Sequence, residues 1–182
     1  MEQDALLMVD IQNDYFPGGK MALDGMEAAA KNAQRVLKFF RAQKKPVFHI
    51  QHISNRPGAI FFLPDTAGAE IHERVTPEAG EAIIQKHFPN CFRETSLQAQ
   101  LNTLDIEALT ICGAMSHMCI DATTRAAADL GFQCTVVHDA CATKDLTFDG
   151  KTVPADMVHG AFMAALQPVY AKVMDLGSFL HG

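Results

Sequence analysis

The sequence predicts an α/β domain with a mostly parallel sheet and helices on both of its faces. Three observations carry that expectation: six short apolar runs recur along the chain, helical stretches separate them, and 182 residues are the size of one such domain. The runs are Ala5–Ile11, Pro46–His52, Ala82–Gln85, Ala108–Cys112, Gln133–His138 and Val169–Asp175. Each has strand length, and unbroken apolar character is what a parallel strand covered on both faces requires.

The intervening segments read as helices with recognisable ends. Between the first two runs, Met26, Ala30, Ala33, Val36, Leu37 and Phe40 follow the i, i+3, i+4, i+7 spacing of one helix face. Thr95-Ser-Leu-Gln98 has capping-box form ahead of Leu97, Leu101 and Leu104, and Ser116 is placed to cap a helix that ends at Gly131. Pro154 suits the first turn of a last helix reaching about Leu166. Two segments break the rhythm. Ile53–Gly80 is rich in Pro and Gly yet carries Phe61-Phe62-Leu63, and Ala142–Val153 is polar around Phe148. Connections this long serve as lids, binding loops or subunit contacts. With no repeat, low-complexity tract or linker, residues 1–182 read as a single domain.

Composition narrows the function classes. The chain is 48% hydrophobic and 20% charged, as ordinary soluble domains are. Its apolar runs fall short of the roughly 20 residues that span a bilayer, and an acidic N-terminus is unlike a signal peptide, so a cytoplasmic protein without membrane contact is expected. A net charge of −6, with Lys44-Lys45 the main basic pair, excludes a phosphate-backbone footprint and hence a nucleic-acid partner. Five cysteines without C-x-x-C spacing fit neither a disulfide framework nor a structural zinc site. Cys112 and Cys134, inside apolar runs, read as buried hydrophobes; Cys91 and Cys141 lie in polar sequence.

Cys119 is different. Ala108-Leu-Thr-Ile-Cys-Gly-Ala-Met-Ser-His-Met-Cys119 reads as a buried strand, a glycine turn and a cysteine opening a helix. Unpaired amides and the dipole at a helix N-terminus favour thiolate over thiol, so a lowered pKa is expected there. Two further polar residues close apolar runs: Asp10 after Leu6-Leu-Met-Val9, and Lys86 after Ala82-Ile-Ile-Gln85. Singly, Asp10 also fits a turn-capping acid and Lys86 a solvated lysine. Together the three offer a base, a cation and a nucleophile at the carboxyl ends of three strands, where parallel sheets bind ligands.

These residues resemble the isochorismatase-like cysteine hydrolases, a family that includes nicotinamidases, N-carbamoylsarcosine amidases, ureidoacrylate amidases and isochorismatases. The resemblance runs nearly end to end. It rests on Leu7-Met-Val-Asp-Ile-Gln-Asn-Asp-Tyr-Phe16, on Lys86 with Phe92 and Thr95, and on Gly113-Ala-Met-Ser-His-Met-Cys119-Ile with Thr123, Ala127 and Gly131. It implies a three-layer α/β/α Rossmann-like fold with strand order 3-2-1-4-5-6, and an Asp10–Lys86–Cys119 triad that cleaves a C–N bond of a small amide or ureide through a thioester. It also implies an oxyanion hole from the backbone N–H groups of Met115 and Cys119, a cis peptide at Ala114–Met115, no cofactor, and a homo-oligomer, dimer or tetramer. The apolar Phe61–Leu63 loop fits such assembly.

The chain also departs from its relatives. The family's nicotinamidases bind a metal through an Asp-x-His pair after strand two, where this sequence reads Phe48-His-Ile-Gln-His52 without the carboxylate. His49 and His52 fall on opposite strand faces, so no metal is expected, and His49 reads as an interior, hydrogen-bonded histidine. His117 stands where relatives carry an acid. Phe16, His52, Phe88, Ser116 and His117 are the candidate substrate-binding residues, with Tyr15, Phe61, Phe62, His87 and Phe148 as further pocket walls. Three other functions compete: vinyl-ether hydrolysis as in isochorismatases, which does not need a Cys119 nucleophile; a nucleotide- or flavin-binding module, disfavoured because Pro17-Gly-Gly19 is not G-x-G-x-x-G; and a redox-sensing thiol with Cys141 as resolving cysteine.

Overall fold

Leu6, Leu7, Met8 and Val9 place apolar side chains on both faces of one strand, so that strand must be covered on both sides. In the computed structural model, which describes residues 3–181, it is: β1 (Asp4–Val9) lies inside a six-stranded parallel sheet, flanked by β2 (Val47–His52) and β4 (Ala108–Ala114). β3 (Ala82–Lys86), β5 (Gln133–Ala142) and β8 (Lys172–Met174) complete the order β3-β2-β1-β4-β5-β8, the order 3-2-1-4-5-6 expected for the six sheet strands. The order reverses between β1 and β4. Right-handed crossovers therefore carry α1 (Met26–Ala42) to one face and α3 (Asp121–Asp129) to the other.

The helical spacing read in α1 is the buried face of the helix. Met26, Ala30, Ala33, Val36, Leu37 and Phe40 are all buried, each large side chain contributing about 1.5–3 kcal/mol of hydrophobic stabilisation. α5 (Leu176–His181) packs on the same side through Phe179, whose ring lies 5.3 Å from that of Phe39. α4 (Ala155–Leu166) starts directly after Pro154 and packs against α3.

Local details differ from the sequence expectations for physical reasons. The capping box does not form: α2 (Leu97–Thr103) starts after Ser96, and Thr95 Oγ1 is drawn back to donate to the Cys91 carbonyl at 2.6 Å. Ser116 does not cap a helix either. It opens a π-turn (Ser116–Ile120) that leads into α3, and its hydroxyl is committed elsewhere. Within Ala142–Val153 the chain forms a hairpin, β6 (Leu146–Phe148) and β7 (Lys151–Val153), that leaves Phe148 82% exposed, so Phe148 walls no pocket. β5 runs on to Ala142 because its pairing with β4 skips from Val136 to Cys141, which makes Cys141 a buried strand residue rather than a loop thiol. No helix among the described residues is long and apolar enough to cross a membrane.

Gly113 is the tightest point of the frame. Its φ of 126° is outside the range of ordinary residues, and a Cβ there would overlap the Val9 carbonyl of the neighbouring strand. Gly113→Ala is expected to cost about 3 kcal/mol or more in urea denaturation. Gly160→Ala, in α4 with open space around the added methyl, is expected to gain about 0.5–1 kcal/mol. Equal stabilities for the two variants would contradict this packing.

Candidate active site

Three strand ends converge where the sheet order reverses. Asp10 follows β1 with a left-handed φ of 52°, which ends the strand and turns the carboxylate into the crevice. Lys86 is the last residue of β3, in register with His52 at the end of β2. Cys119 sits in the π-turn after β4, three residues past its start rather than at its first amide.

Lys86 joins them. Its ammonium lies 2.7 Å from Asp10 Oδ2, 2.9 Å from His52 Nδ1 and 3.2 Å from Cys119 Sγ. Lys86 and Asp10 are both fully buried. An ammonium has three donors and no acceptor, so His52 Nδ1 must be the acceptor and the ring proton sits on Nε2. Burial, then the Lys86 charge, push the His52 pKa down to about 4. Burial opposes the charge on Lys86, but Asp10 and then Cys119 outweigh it and hold the ammonium well above its ordinary range. Asp10 Oδ1 has no hydrogen-bond partner, and a carboxylate oxygen of Asp10 lies within 4.8 Å of Cys119 Sγ.

The resting thiol is not the thiolate that the sequence leads one to expect. Burial first, and the Asp10 charge second, raise the Cys119 pKa well above its ordinary value, and the Lys86 cation does not offset them. The helix dipole loses because Cys119 lies inside the turn. Cys119 is accordingly a neutral thiol that needs a base.

The Met115 carbonyl accepts from Met118 N at 3.0 Å and Ile120 N at 3.2 Å, passing over the Cys119 N–H between them. Met115 N, after the cis Ala114–Met115 peptide, makes no backbone hydrogen bond among the described residues. Both residues line a cavity of about 210 Å³ that opens beside Cys119.

That cavity sorts the remaining candidates. His52, Phe88, Tyr15, Phe61 and His87 line it. Phe16 does not: its ring stacks on His72 at 3.6 Å. Ser116 is fully buried, bonded to His159 Nδ1 at 2.8 Å and the Ala142 carbonyl at 3.3 Å. His117 is held by Thr143 Oγ1 at 2.6 Å, and neither Ser116 nor His117 lines this cavity. Phe62 is buried beneath Tyr15, 4.6 Å between ring centroids. Cys91 is buried against Thr123, and burial pushes its thiol, like that of Cys141, up to about 12. Burial of both thiols disfavours a resolving role.

Asp10, His52 and Cys119 are also the one trio of described residues whose ligand atoms lie within 4.8 Å of one another, as a metal would need. The Lys86 ammonium already bonds all three, so an added cation would face it directly. His49 is the interior histidine expected, with Nε2 2.8 Å from Glu81, whose carboxyl is held down at about 2, against burial, by Arg41 and the Glu78 backbone N–H.

Two positioning residues escaped the sequence reading. Gln12 clamps the end of β2: its amide donates to the His52 and Ala69 carbonyls at 2.9 and 2.7 Å and accepts from His52 N at 2.8 Å. Asp14 accepts from Phe62 N at 2.7 Å and Lys20 N at 3.1 Å, pinning the loop that presents Phe61. The signal was two buried polar side chains within the quoted Leu7–Phe16 motif.

An isochorismatase domain model matches residues 4–177. The chain is 54% identical over 176 residues to the uncharacterized isochorismatase family protein YddQ of Bacillus subtilis (strain 168), covering 97% of this chain and 98% of that one. It is 34% identical to streptothricin hydrolase of Streptomyces noursei over 89% of this chain and 59% of that protein. The crystal structure of a candidate isochorismatase hydrolase from Oleispira antarctica superposes with a TM-score of 0.96 at 50% identity, covering 100% of this chain and 97% of the other.

His52 gives the site a pH signature. Unfolded, it binds a proton below 6.5, whereas folded it stays neutral down to about 4, so its contribution is complete above 6.5 and is lost as pH falls through that window. His52→Gln, which can still accept from Lys86, is expected to make urea stability about 1–2 kcal/mol less sensitive to acidification from pH 7 to 4. An unchanged slope would contradict the neutral His52.

Proposed function

The chain belongs to the isochorismatase family, and from that membership we propose that it is a hydrolase that cleaves the C–N bond of a small amide or ureide through a Cys119 thioester. Relatives named streptothricin hydrolase, N-carbamoylsarcosine amidase and nicotinamidase support the reaction class. The observation that carries the reading is a buried Asp10 carboxylate with one unpartnered oxygen, within 4.8 Å of the Cys119 thiol, and one ammonium bonded to both groups.

In the proposed cycle Asp10 takes the thiol proton as Cys119 Sγ attacks the carbonyl carbon. The transfer conserves charge: before it the Lys86 ammonium pairs with a carboxylate, after it with a thiolate, from 2.7 Å and 3.2 Å. No uncompensated charge is created in the buried site, which is why the step is accessible there. The oxyanion accepts from Met115 N–H and Cys119 N–H. The protonated Asp10 gives its proton to the leaving nitrogen, the C–N bond breaks, and an S-acyl enzyme remains. Asp10, again a carboxylate, takes a proton from water as the water attacks. The C–S bond then breaks, returning the thiol and releasing the carboxylic acid, so the balance is amide plus water to acid plus amine.

A panel of small amides and ureides assayed for release of ammonia or amine tests the reading. Cys119→Ala and Asp10→Asn are each expected to lower kcat by about 10³-fold or more, and iodoacetamide to abolish turnover. Hydrolysis of a vinyl ether that survives Cys119→Ala, with no amide cleaved, would overturn it.

A further inference from the structure

The cavity is polarised from floor to mouth. Cys119 is at the floor, 4% exposed, while Asn55 and Arg56 are exposed at the opening and Ser54 is buried just inside it. Between them the wall is apolar and aromatic: Phe61, Phe88, Pro89, Met115 and Met118. Among the lining residues there is one full cation, Arg56, and no carboxylate, in a chain whose net charge is −6. Asp10, whose charge is shared by Lys86, is not part of the lining.

His87, in the lining, is tied to the Ile53 carbonyl at 2.7 Å, whereas three polar side chains at the opening are not tied. Ser54, Asn55 and Arg56 begin two residues past the end of β2, and among the described residues none of their side chains is tied by a side-chain hydrogen bond or ion pair. The backbone is held instead, Ser54 N–H donating to the Phe62 carbonyl at 2.8 Å and the Arg56 carbonyl accepting from Ala59 N–H at 3.3 Å. Deeper in, His52 has Nε2–H to offer because Nδ1 accepts from Lys86. Arg56 is an exposed residue of the cavity lining. A planar guanidinium next to a hydroxyl and an amide matches the two oxygens of a carboxylate.

We propose that Ser54, Asn55 and Arg56 form an anion-recognition end of this cavity, and that the substrate is an amide or ureide with an apolar or aromatic middle and a carboxylate at the end remote from the scissile bond. The proposal rests on the amide-hydrolase reading for the chemistry at the floor. The mouth selects by charge: neutral amides lose the guanidinium contact, and amides ending in an amine meet Arg56 as a like charge. Because Arg56 is exposed, the preference weakens as salt rises.

Three amide sets of matched length test it: monoamides of dicarboxylic acids such as glutaramic acid, neutral amides such as valeramide, and ω-amino amides. A charge-assisted contact of this kind predicts a preference of about 10- to 100-fold in kcat/KM for the anionic set. Arg56→Ala is expected to reduce the anionic-over-neutral ratio at least about tenfold, Arg56→Lys to restore part of it, and Arg56→Glu to shift preference to the ω-amino set. Calorimetry on Cys119→Ala, with and without Arg56→Ala, reads glutaramate and valeramide binding without turnover. Arg56-dependent glutaramate binding with no amide cleaved by the wild type would sustain the anion site and sink the amide reading. Amide cleavage with an anionic-over-neutral ratio that Arg56→Ala leaves within about twofold would sink the anion site alone, and so would glutaramate binding no tighter than valeramide.

Discussion

The Lys86–Asp10 ion pair is the constraint on which the rest of the site depends. Both side chains are completely removed from water, and two isolated charges at that depth would each cost several kcal/mol. The pair persists because the ammonium has a partner for each donor: a carboxylate, an imidazole nitrogen and a thiol. Those partners come from β1, β2 and the turn after β4, so the pair needs four strand ends in register. Losing either charge strands the other, at about 3–5 kcal/mol. The fold and the site are held by the same contacts.

That arrangement also explains how a buried thiol can react. A low-dielectric crevice suppresses the thiolate, yet a proton moving from sulfur to the free Asp10 oxygen leaves the number of charges unchanged. Met115 N, at the entry to the π-turn, makes no backbone hydrogen bond among the described residues. At the other end of the cavity the polarity changes character, from shared protons to an unpaired guanidinium, which separates the choice of bond to break from the choice of molecule to accept.

Much of this was legible in the sequence because it is local. The apolar runs, the spacing in α1, and the acid, lysine and cysteine closing three strands depend on residues near one another in the chain. What escaped depends on distant ones. Gln12 bonds across 40 and 57 positions, and Asp14 across 48, so nothing beside them announces their work. Phe16, Ser116 and His117 sit in the right segments but face His72, His159 and Thr143, partners that only the fold supplies. The thiol's protonation was misjudged for a related reason: the helix dipole is readable from a motif, whereas burial and a carboxylate from another strand are not.

The central claim is that Cys119 rests as a neutral thiol and is activated by transfer to Asp10. Thiolate absorbance near 240 nm, taken as wild type minus Cys119→Ala across a pH titration of the free protein, measures it directly. The account predicts no step between about pH 6 and 9, below the ordinary thiol range and through it. A thiolate already formed below about pH 7 would contradict it and make Lys86, not Asp10, the group that activates the nucleophile.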